Sequence, residues 1–323
     1  MKRLTRAVLL LGLLTCVATV SAQEYPNKPI RFVIGYAPGG LGDLLARLLA
    51  DKMSARMKQP VLVENRLGAG GTIAAGLVAK AAPDGYTLLQ GTAAEITYAS
   101  SIHGPRLTYD PAKDLAPISM LNISAMVLVA HPSRGFASVK DVVDFARANP
   151  GRLNIASFGN GSSSHFAAEM FKAANGVEIQ HVPYKGSGPA VQELMAGRVD
   201  ILFDTVASSA QHARAGRLVP LAVTSPQRTL PLPQVPTFRE LGDRGVDLQP
   251  WAALFAPAGT PEAIIQRLNR EVREILALPD VSERLTSLAA GGTPSSPEEL
   301  GAHVKAEIAR IAKVVGDAKL KFD

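Results

Sequence analysis

The feature that most constrains the fold is a repeated order of short β-rich run, glycine-rich loop and helical run. The first unit begins with the run IRFVI at 30–34, and an apolar helical stripe extends from Leu44 to Met57. The same order recurs up to about residue 90 and again between residues 153 and 223. Such alternation is typical of sheets with helices on their faces, because each helix carries the chain back to begin another strand. The sequence therefore predicts an α/β fold with doubly wound, mostly parallel sheets.

The β-rich runs fall into two series, which predict two lobes. Strands are predicted at 30–34, 61–63 and 86–90 in the first series, and at 153–156, 179–182, 201–203 and 218–223 in the second. Runs at 120–130 and 246–255 connect the series, and three helices follow. We expect a first lobe of 23–123 plus 249–323, a second lobe of 124–248, and a cleft between them. Ser296-Pro297 and Thr260-Pro261 each predict a capping hydroxyl before a helix-starting proline.

Residues 1–22 have a basic start, an apolar run and the small-residue end Val20-Ser21-Ala22. This pattern predicts a secretory signal peptide cleaved after Ala22 and a periplasmic mature protein. The alternatives are an uncleaved membrane anchor and a lipoprotein modified at Cys16. Because Cys16 is the only cysteine, the mature chain would have no disulfide and no cysteine ligand or nucleophile.

The charge of the chain argues against a nucleic-acid partner. The formal net charge is +6, and Lys2, Arg3 and Arg6 of the leader supply half of it. Nucleic-acid binding requires a concentrated basic surface. The remaining excess of basic residues is small and dispersed, so we expect no nucleic-acid interface.

Six loops between a strand and the following helix carry the predicted site. In open α/β sheets, ligands bind beyond the carboxyl ends of the strands. These loops are rich in glycine and hydroxyl residues, and each helix start offers free N–H groups and partial positive charge. Together they predict an anion site built from amides and hydroxyls. The loops are 35–43, 65–72, 91–94, 157–165, 184–189 and 204–205.

Catalytic, cofactor and metal motifs are weak or missing. The sequence has no Gly-x-Ser-x-Gly elbow and no Gly-x4-Gly-Lys-Ser/Thr phosphate loop, and its six histidines are scattered. We therefore expect no cofactor and no metal. Ser164 and His165 are interpreted as a helix cap and a histidine facing the cleft, and Asp43 as a first-turn residue. For Asp204 two roles stay open, a ligand contact or a structural hydrogen-bond acceptor.

Several segments resemble one known family when taken in order along the chain. They are YPNKPIR at 25–31, APGG at 37–40, ENRLGAGG at 64–71, PDGYTLL at 83–89, YDPAKD at 109–114, HVPYKG at 181–186 and APAGTP at 256–261. In these segments the chain is similar to the Bug family, the TctC-like extracytoplasmic receptors of tripartite tricarboxylate transporters. It departs from the family pattern at Leu67 and at 95–100, beside the predicted cleft.

The resemblance implies a two-lobed periplasmic binding protein of the type II-like, Venus-flytrap kind, which closes on a small carboxylate. Amides and hydroxyls of the cleft loops would hold the ligand. The residues that match the family's ligand-binding segments are Ala37, Pro38, Gly39, Gly40, Leu41, Gly42, Asp43, Thr92, Ala93, Ser157, Asn160, Gly161, Ser162, Ser163, His165, Lys185, Gly186, Ser187, Gly188, Pro189, Ala190, Asp204 and Thr205.

The function expected from the residues and the resemblance is capture of a small carboxylate without turnover. The classes considered are dicarboxylates, tricarboxylates, acidic amino acids and aromatic acids. The receptor, assumed monomeric, would deliver its ligand to a membrane permease of the tripartite tricarboxylate type. One alternative is a periplasmic sensor that signals to a kinase. Another is a secreted enzyme that uses His165 or Asp204 as a base.

Overall fold

A computed structural model describes residues 25–242, 246, 248–320 and 322 of the chain. The predicted leader and its cleavage site lie outside the described residues. Within the described part, no helix combines the length and the apolar character that crossing a membrane requires.

The first sheet has six strands among the described residues, in the order β11-β4-β10-β3-β1-β2. Strand β1 pairs in parallel with both β2 and β3, whereas β10 pairs antiparallel with β3 and β4. The strands are β1 (Ile30–Ile34), β2 (Val61–Asn65), β3 (Thr87–Thr92), β4 (Leu115–Ser124), β10 (Trp251–Pro257) and β11 (Ala290–Gly292).

The second sheet has five strands among the described residues, in the order β7-β6-β8-β5-β9. Strand β6 pairs in parallel with β7 and β8, and β5 pairs antiparallel with β8 and β9. The strands are β5 (Met126–Ala130), β6 (Asn154–Ser157), β7 (Gln180–Pro183), β8 (Ile201–Thr205) and β9 (Val219–Val223).

The strand that enters each sheet from the other lobe is antiparallel to its neighbours. Strand β5 follows the crossing at Ala125, and β10 follows the return crossing at Pro250. Both begin at the edge where the parallel strands end, so they run in the opposite direction. The Ser124 backbone N–H and Oγ donate to the Pro250 carbonyl oxygen at 2.8 and 3.0 Å. The two crossings therefore lie side by side. The run at 120–130, expected as one strand, is two strands in different sheets.

Helices cover the faces of both sheets. Their bounds are α1 (Leu41–Met57), α2 (Thr72–Ala79), α3 (Ala99–His103), α4 (Val139–Ala148), α5 (Ser163–Asn175), α6 (Ser187–Met195), α7 (Val206–Arg214), α8 (Glu262–Leu276), α9 (Pro279–Ser287) and α10 (Pro297–Asp317). A π-helical turn at Ala94–Tyr98 follows β3 directly. The helices from α4 to α7, and α8 to α10 at the end of the chain, lie where the sequence pattern predicts them, to within a few residues at each end.

The two predicted proline-associated helix starts differ. Ser296 accepts from the Glu299 N–H at 3.1 Å, and the Glu299 carboxylate accepts from the Ser296 N–H at 2.8 Å. That capping box is confirmed. Thr260 does not cap α8, because its hydroxyl donates to the Pro257 carbonyl at 2.8 Å and Pro261 occupies the N-cap position. Its predicted role is wrong because the local turn offers a nearer acceptor.

One apolar core extends through both lobes, and a smaller core lies on the other face of each sheet. The lobes meet where Tyr98, from the π-helical turn, stacks on Phe166 of α5 with ring centroids 4.5 Å apart. Phe322 stacks on the same Phe166 at 5.6 Å. The start of α5 is therefore held against the first lobe by aromatic packing, close to the ends of β6 and β8.

Candidate functional site

A cavity of about 90 Å³ lies between the lobes. Residues of both lobes enclose this space, so a small ligand bound there would contact both lobes. The two crossings between the lobes border the cavity, as do the loops. Its walls are Tyr36, Ala37, Gly40, Leu41, Gly42, Asp43, Leu45, Thr92, Asn122, Ser124, Met126, Phe158, Ser163, Ser187, Thr205, Pro250, Trp251 and Ala252.

The start of α1 forms one wall from the first lobe. Its N-cap is Gly40, which has no side chain to accept from the first-turn N–H groups. Those N–H groups have no intrahelical acceptor, because the first turn of a helix lacks a preceding turn. Gly40, Leu41 and Gly42 line the cavity. This end of α1 therefore offers unsatisfied donors and partial positive charge to a ligand.

The Asp43 carboxylate stabilises that loop through hydrogen bonds, and Arg47 neutralises its charge. Its carboxylate accepts from the Gly39 N–H at 3.2 Å and from Arg47 at 2.9 and 3.0 Å. Asn65 donates to it at 3.1 Å. Burial disfavours its charge, but the hydrogen bonds from Arg47, Asn65 and Gly39 outweigh burial and lower the pKa of Asp43. The carboxylate is therefore ionised and neutralised by Arg47, in the first turn as predicted.

The end of β3 brings a second buried acid behind the same wall. Thr92 lines the cavity, while Glu95 behind it is 0% exposed. The Thr92 N–H donates to Glu95 Oε1 at 2.8 Å, and the Thr92 hydroxyl lies 2.5 Å from Oε2. Burial raises the pKa of Glu95 to about 7, although these hydrogen bonds oppose the rise. Gly71 is required here, since a Cβ at that position would lie 2.7 Å from Glu95 Oε2.

The second lobe offers another helix start without a side-chain cap. Helix α6 has Gly186 as its N-cap, and its first residue, Ser187, lines the cavity. A Cβ at Gly186 would lie 3.3 Å from the backbone nitrogen of Ala37 in the first lobe. Glycine at this position therefore lets the two lobes approach closely.

Asp204 lies behind Ser187 and is 0% exposed. Its two oxygens accept from the hydroxyls of Ser187 at 2.6 Å and Ser209 at 2.5 Å. Burial raises the pKa of Asp204 to about 6, against the opposing effect of the hydroxyl and backbone hydrogen bonds. Asp204 does not line the cavity. Of the two roles left open by the sequence, this geometry favours the structural acceptor.

His165 also lies behind the wall, although the sequence interpretation placed it facing the cleft. It is 1% exposed, and its Nδ1 accepts from the Gly161 N–H at 3.1 Å. Its ring stacks on His181 with centroids 3.8 Å apart. Ser164 does not cap the helix; its hydroxyl donates to the Phe203 carbonyl at 2.6 Å, and Ser162 is the N-cap. Both side chains support α5, whose first residue, Ser163, lines the cavity.

A second interlobe cavity of about 540 Å³ lies beyond Tyr36 and Phe158, which border both spaces. Gly70 of the first lobe comes so close to the second that an added Cβ would lie 2.7 Å from the Asn160 carbonyl oxygen. Among the predicted residues, Asn160, Gly161 and Lys185 line this larger space instead of the first cavity.

The first cavity gathers nine of the predicted residues, from both lobes: Ala37, Gly40, Leu41, Gly42, Asp43, Thr92, Ser163, Ser187 and Thr205. Eleven others line neither of the two cavities: Pro38, Gly39, Ala93, Ser157, Ser162, His165, Gly186, Gly188, Pro189, Ala190 and Asp204.

Sequence reasoning missed five polar or aromatic wall residues, Tyr36, Asn122, Ser124, Phe158 and Trp251. Tyr36 and Phe158 lie within loops that the sequence identified. Asn122 and Trp251 lie on the crossing strands, where the only signal is a polar or bulky residue in an apolar run. Asn122 Oδ1 and Trp251 Nε1 are buried and have no hydrogen-bond partner among the described residues. Both residues line the cavity. Within the described residues, no cluster of His, Cys, Asp or Glu could hold a metal ion.

Residues 45–320 match the model of the TctC family, described as the tripartite tricarboxylate transporter family receptor. The chain belongs to this family. The resemblance found in the sequence motifs is therefore confirmed. This TctC-family receptor is 37% identical to the protein BugT of Bordetella pertussis over 325 residues, which cover 98% of this chain and 99% of BugT.

Two solved structures are similar to this TctC-family receptor over nearly their whole length. One is Rpa4515 of R. palustris with adipate, with a TM-score of 0.87, 36% identity and coverage of 92% of this chain and 99% of that chain. The other is MatC of Rhodopseudomonas palustris with bound malate, with a TM-score of 0.86, 35% identity and coverage of 90% and 100%. The two-lobed α/β binding-protein fold is confirmed, and the receptor is a solute-binding protein of this family.

Proposed function

We propose that this receptor captures a small carboxylate in the cavity between its lobes and releases it unchanged. The carrying observation is that uncapped helix starts from both lobes, α1 at Gly40 and α6 at Gly186, open at the cavity. Several helix N-termini at one cavity attract an anion through their amides and dipoles. The ligands of the two neighbours, adipate and malate, support a carboxylate for this chain.

The ligand contacts we propose combine these amides with neutral side chains. Hydroxyls come from Thr92, Ser163 and Ser187. Asn122 and Trp251 line the same cavity from the crossing strands. Asp204 and His165 support the wall from behind. A site of this kind explains how a chain of modest net charge holds an anion.

We further propose the lobe limits 23–123 plus 249–323 and 124–248, with ligand delivery from the periplasm to a tripartite tricarboxylate-type permease. The lobe limits are supported by the sheet membership of β4, β5 and β10. The permease is supported by the family. Deletion of the gene should abolish uptake of the labelled ligand in the native bacterium, and its re-expression should restore uptake.

The test of the binding function is a thermal-shift screen of residues 23–323, unfolded and refolded to remove co-purified ligand. Mono-, di- and tricarboxylates, acidic amino acids and aromatic acids are compared with neutral sugars. A ligand at about 100 times its Kd adds about 2.7 kcal/mol, or several degrees of Tm at roughly 2–4 °C per kcal/mol. No shift with any acid in a folded protein contradicts the proposal, and chemical conversion of the recovered ligand would indicate an enzyme instead.

A further inference from the structure

Glu95 is a fully buried acid directly behind a hydroxyl of the cavity wall. It lies on the π-helical turn Ala94–Tyr98 and is 0% exposed. Thr92 supplies two contacts, the N–H at 2.8 Å to Oε1 and the hydroxyl at 2.5 Å to Oε2. The Tyr36 hydroxyl lies 3.4 Å from Oε2, but it is closer, at 2.9 Å, to the Gly70 carbonyl oxygen. Thr92 is therefore the main partner of this carboxyl group.

The elements around Glu95 bring no cation to it. The titratable groups that face it are the phenols of Tyr36 and Tyr109, and the Tyr109 hydroxyl donates to the Glu95 backbone carbonyl at 2.5 Å. Strands β3 and β10 and helix α2 contain no titratable residue. Helix α3, which follows the π-helical turn, carries His103; burial and the nearby Arg106 lower the pKa of His103, so it is neutral at pH 7. From α10, Glu307 and Arg310 act on Tyr98 instead. Among the described residues, no ion pair includes Glu95, so its negative charge would be buried with hydrogen bonds but without a compensating positive charge.

The protonation state of Glu95 decides which way the Thr92 hydroxyl donates. A threonine hydroxyl has one proton and two lone pairs. One lone pair of Thr92 Oγ1 accepts from the Ala94 N–H at 3.3 Å. When Glu95 is ionised, Thr92 must donate to Oε2, and only its other lone pair can face the cavity. When Glu95 is protonated, it donates to Thr92 Oγ1, and the Thr92 proton becomes available to the cavity. A ligand carboxylate can accept from Thr92 only in the second state.

We propose that Glu95 is a specificity-determining residue, which couples the binding of a carboxylate at Thr92 to the uptake of one proton from solvent. The inference rests on the proposed carboxylate-binding function and adds a condition to it. The proton binds to Glu95 Oε2, and no other bond changes. A bound carboxylate favours this state because it removes the repulsion between two anions in a small, buried space. Burial also raises the pKa of Glu95 to about 7, near the pH at which such coupling is measurable.

The decisive measurement is calorimetric titration in two buffers of different ionisation enthalpy, at pH 6, 7 and 8. The probes are malate, adipate and the acid that gives the largest thermal shift. For the wild type, we expect nearly one proton taken up per ligand at pH 8 and almost none at pH 6. The affinity should fall by up to about tenfold per pH unit above 7.

The variant Glu95→Gln should remove the coupling, because its side-chain amide can donate to Thr92 Oγ1 at every pH. We expect no proton uptake and a constant affinity between pH 6 and 8. Glu64→Gln is the matched control: Glu64 is ion-paired with Arg31 at 2.8 Å outside the cavity, and its variant should take up protons as the wild type does. If Glu95→Gln does not fold, Asp204→Asn decides the assignment: uptake that this variant retains supports Glu95, and uptake that it loses belongs to the second lobe.

The outcomes separate the two proposals. Carboxylate binding without proton uptake at pH 8 overturns the role of Glu95 and leaves the receptor function intact. Uptake that persists in Glu95→Gln but disappears in Asp204→Asn also overturns it, because the proton then belongs to the second lobe. Failure of every acid to bind the folded protein at any pH overturns both.

Discussion

The two lobes bring the same pair of groups to the cavity on different backbones. In the first lobe, Thr92 lines the cavity and Glu95 lies behind it; in the second, Ser187 lines the cavity and Asp204 lies behind it. Both acids are 0% exposed, and no ion pair of either is found in the described part of the chain. Each lobe therefore presents a hydroxyl whose orientation depends on a buried carboxyl group.

The two acids differ in how their charge is shared. Asp204 receives a separate serine hydroxyl on each oxygen, at 2.6 and 2.5 Å. The contacts of Glu95 within 3 Å both come from Thr92. The pKa is raised by burial to about 6 for Asp204 and about 7 for Glu95. Burial raises both values by similar amounts from the ordinary 4.5 of glutamate and 3.8 of aspartate, so the first-lobe acid is the one more easily protonated at neutral pH.

The largest effect is expected from separating the two lobes with Gly70→Ala. Gly70 has φ +59°, and its added Cβ would lie 2.7 Å from the Asn160 carbonyl oxygen of the second lobe. We expect carboxylate affinity to fall on the order of 100-fold, about 2.7 kcal/mol, because the two walls can no longer meet. The control is Gly176→Ala, with φ +60° and no atom within 4 Å. Calorimetry on both variants checks this, and equal affinities would mean that the lobes bind independently.

The next effect concerns the amides of the second lobe and is tested with Ser163→Pro. Ser163 is the first residue of α5, and Ser162 before it is extended, at φ −68° and ψ 162°. Proline is tolerated at the first position of a helix and after an extended residue, so the helix should persist while the Ser163 N–H is lost. We expect about a 10-fold or greater loss of affinity, since hydrogen bonds to charged groups contribute about 1.5–3 kcal/mol.

Ser163→Ala separates the amide from the hydroxyl, because it keeps the N–H and removes Oγ. It should lose less affinity than the proline variant in the same titration. Equal losses for the two variants would assign the contact to the hydroxyl and contradict an amide-based site.

The pH dependence of stability distinguishes the two acids. Both have a folded pKa above the unfolded value, from 4.5 to about 7 for Glu95 and from 3.8 to about 6 for Asp204. The unfolded state therefore binds fewer protons in these windows, and the free energy of unfolding falls as pH rises through them. The slope for one proton is at most about 1.4 kcal/mol per pH unit.

Urea unfolding between pH 4.5 and 8 measures these slopes. Between pH 6 and 7, ionisation of Glu95 continues to lower the free energy of unfolding, whereas most of the loss due to Asp204 has already occurred below pH 6. The slope for Glu95→Gln should therefore be much less steep than that of the wild type in that window, and Asp204→Asn should retain most of the wild-type slope. Identical slopes for the wild type and Glu95→Gln would show that Glu95 is already ionised there.

The smallest effect is a comparison of ligands on Asp204→Asn. Because Asp204 contacts serine hydroxyls instead of the cavity, amino-dicarboxylates and plain dicarboxylates should lose affinity equally, by a few-fold for about 1 kcal/mol. The comparison is made by titration of an amino-dicarboxylate and its deaminated analogue. A much greater loss for the amino acid would mean that Asp204 contacts the ligand ammonium directly.

The sequence by itself determined the elements and the edge at which the site forms. Period-two and period-3.6 patterns come from local backbone geometry, and so β1 and helices such as α4 were predictable at or near their bounds. Glycine at 40 and 186 marked helix starts that remain uncapped. The short β11 and the π-helical turn at Ala94–Tyr98 have no such pattern, so neither was predicted.

Only the tertiary structure decided which side chains face the cavity. His165 and Asp204, both prominent in the sequence, lie behind the wall, while Asn122 and Trp251 reach it from the crossing strands. The protonation of Glu95 depends on its burial away from any cation and on its hydrogen bonds with Thr92. These are contacts between residues whose orientation depends on how two sheets, two crossings and a C-terminal helix pack together. Burial and pairing are set by that packing, and no local pattern of residues encodes it.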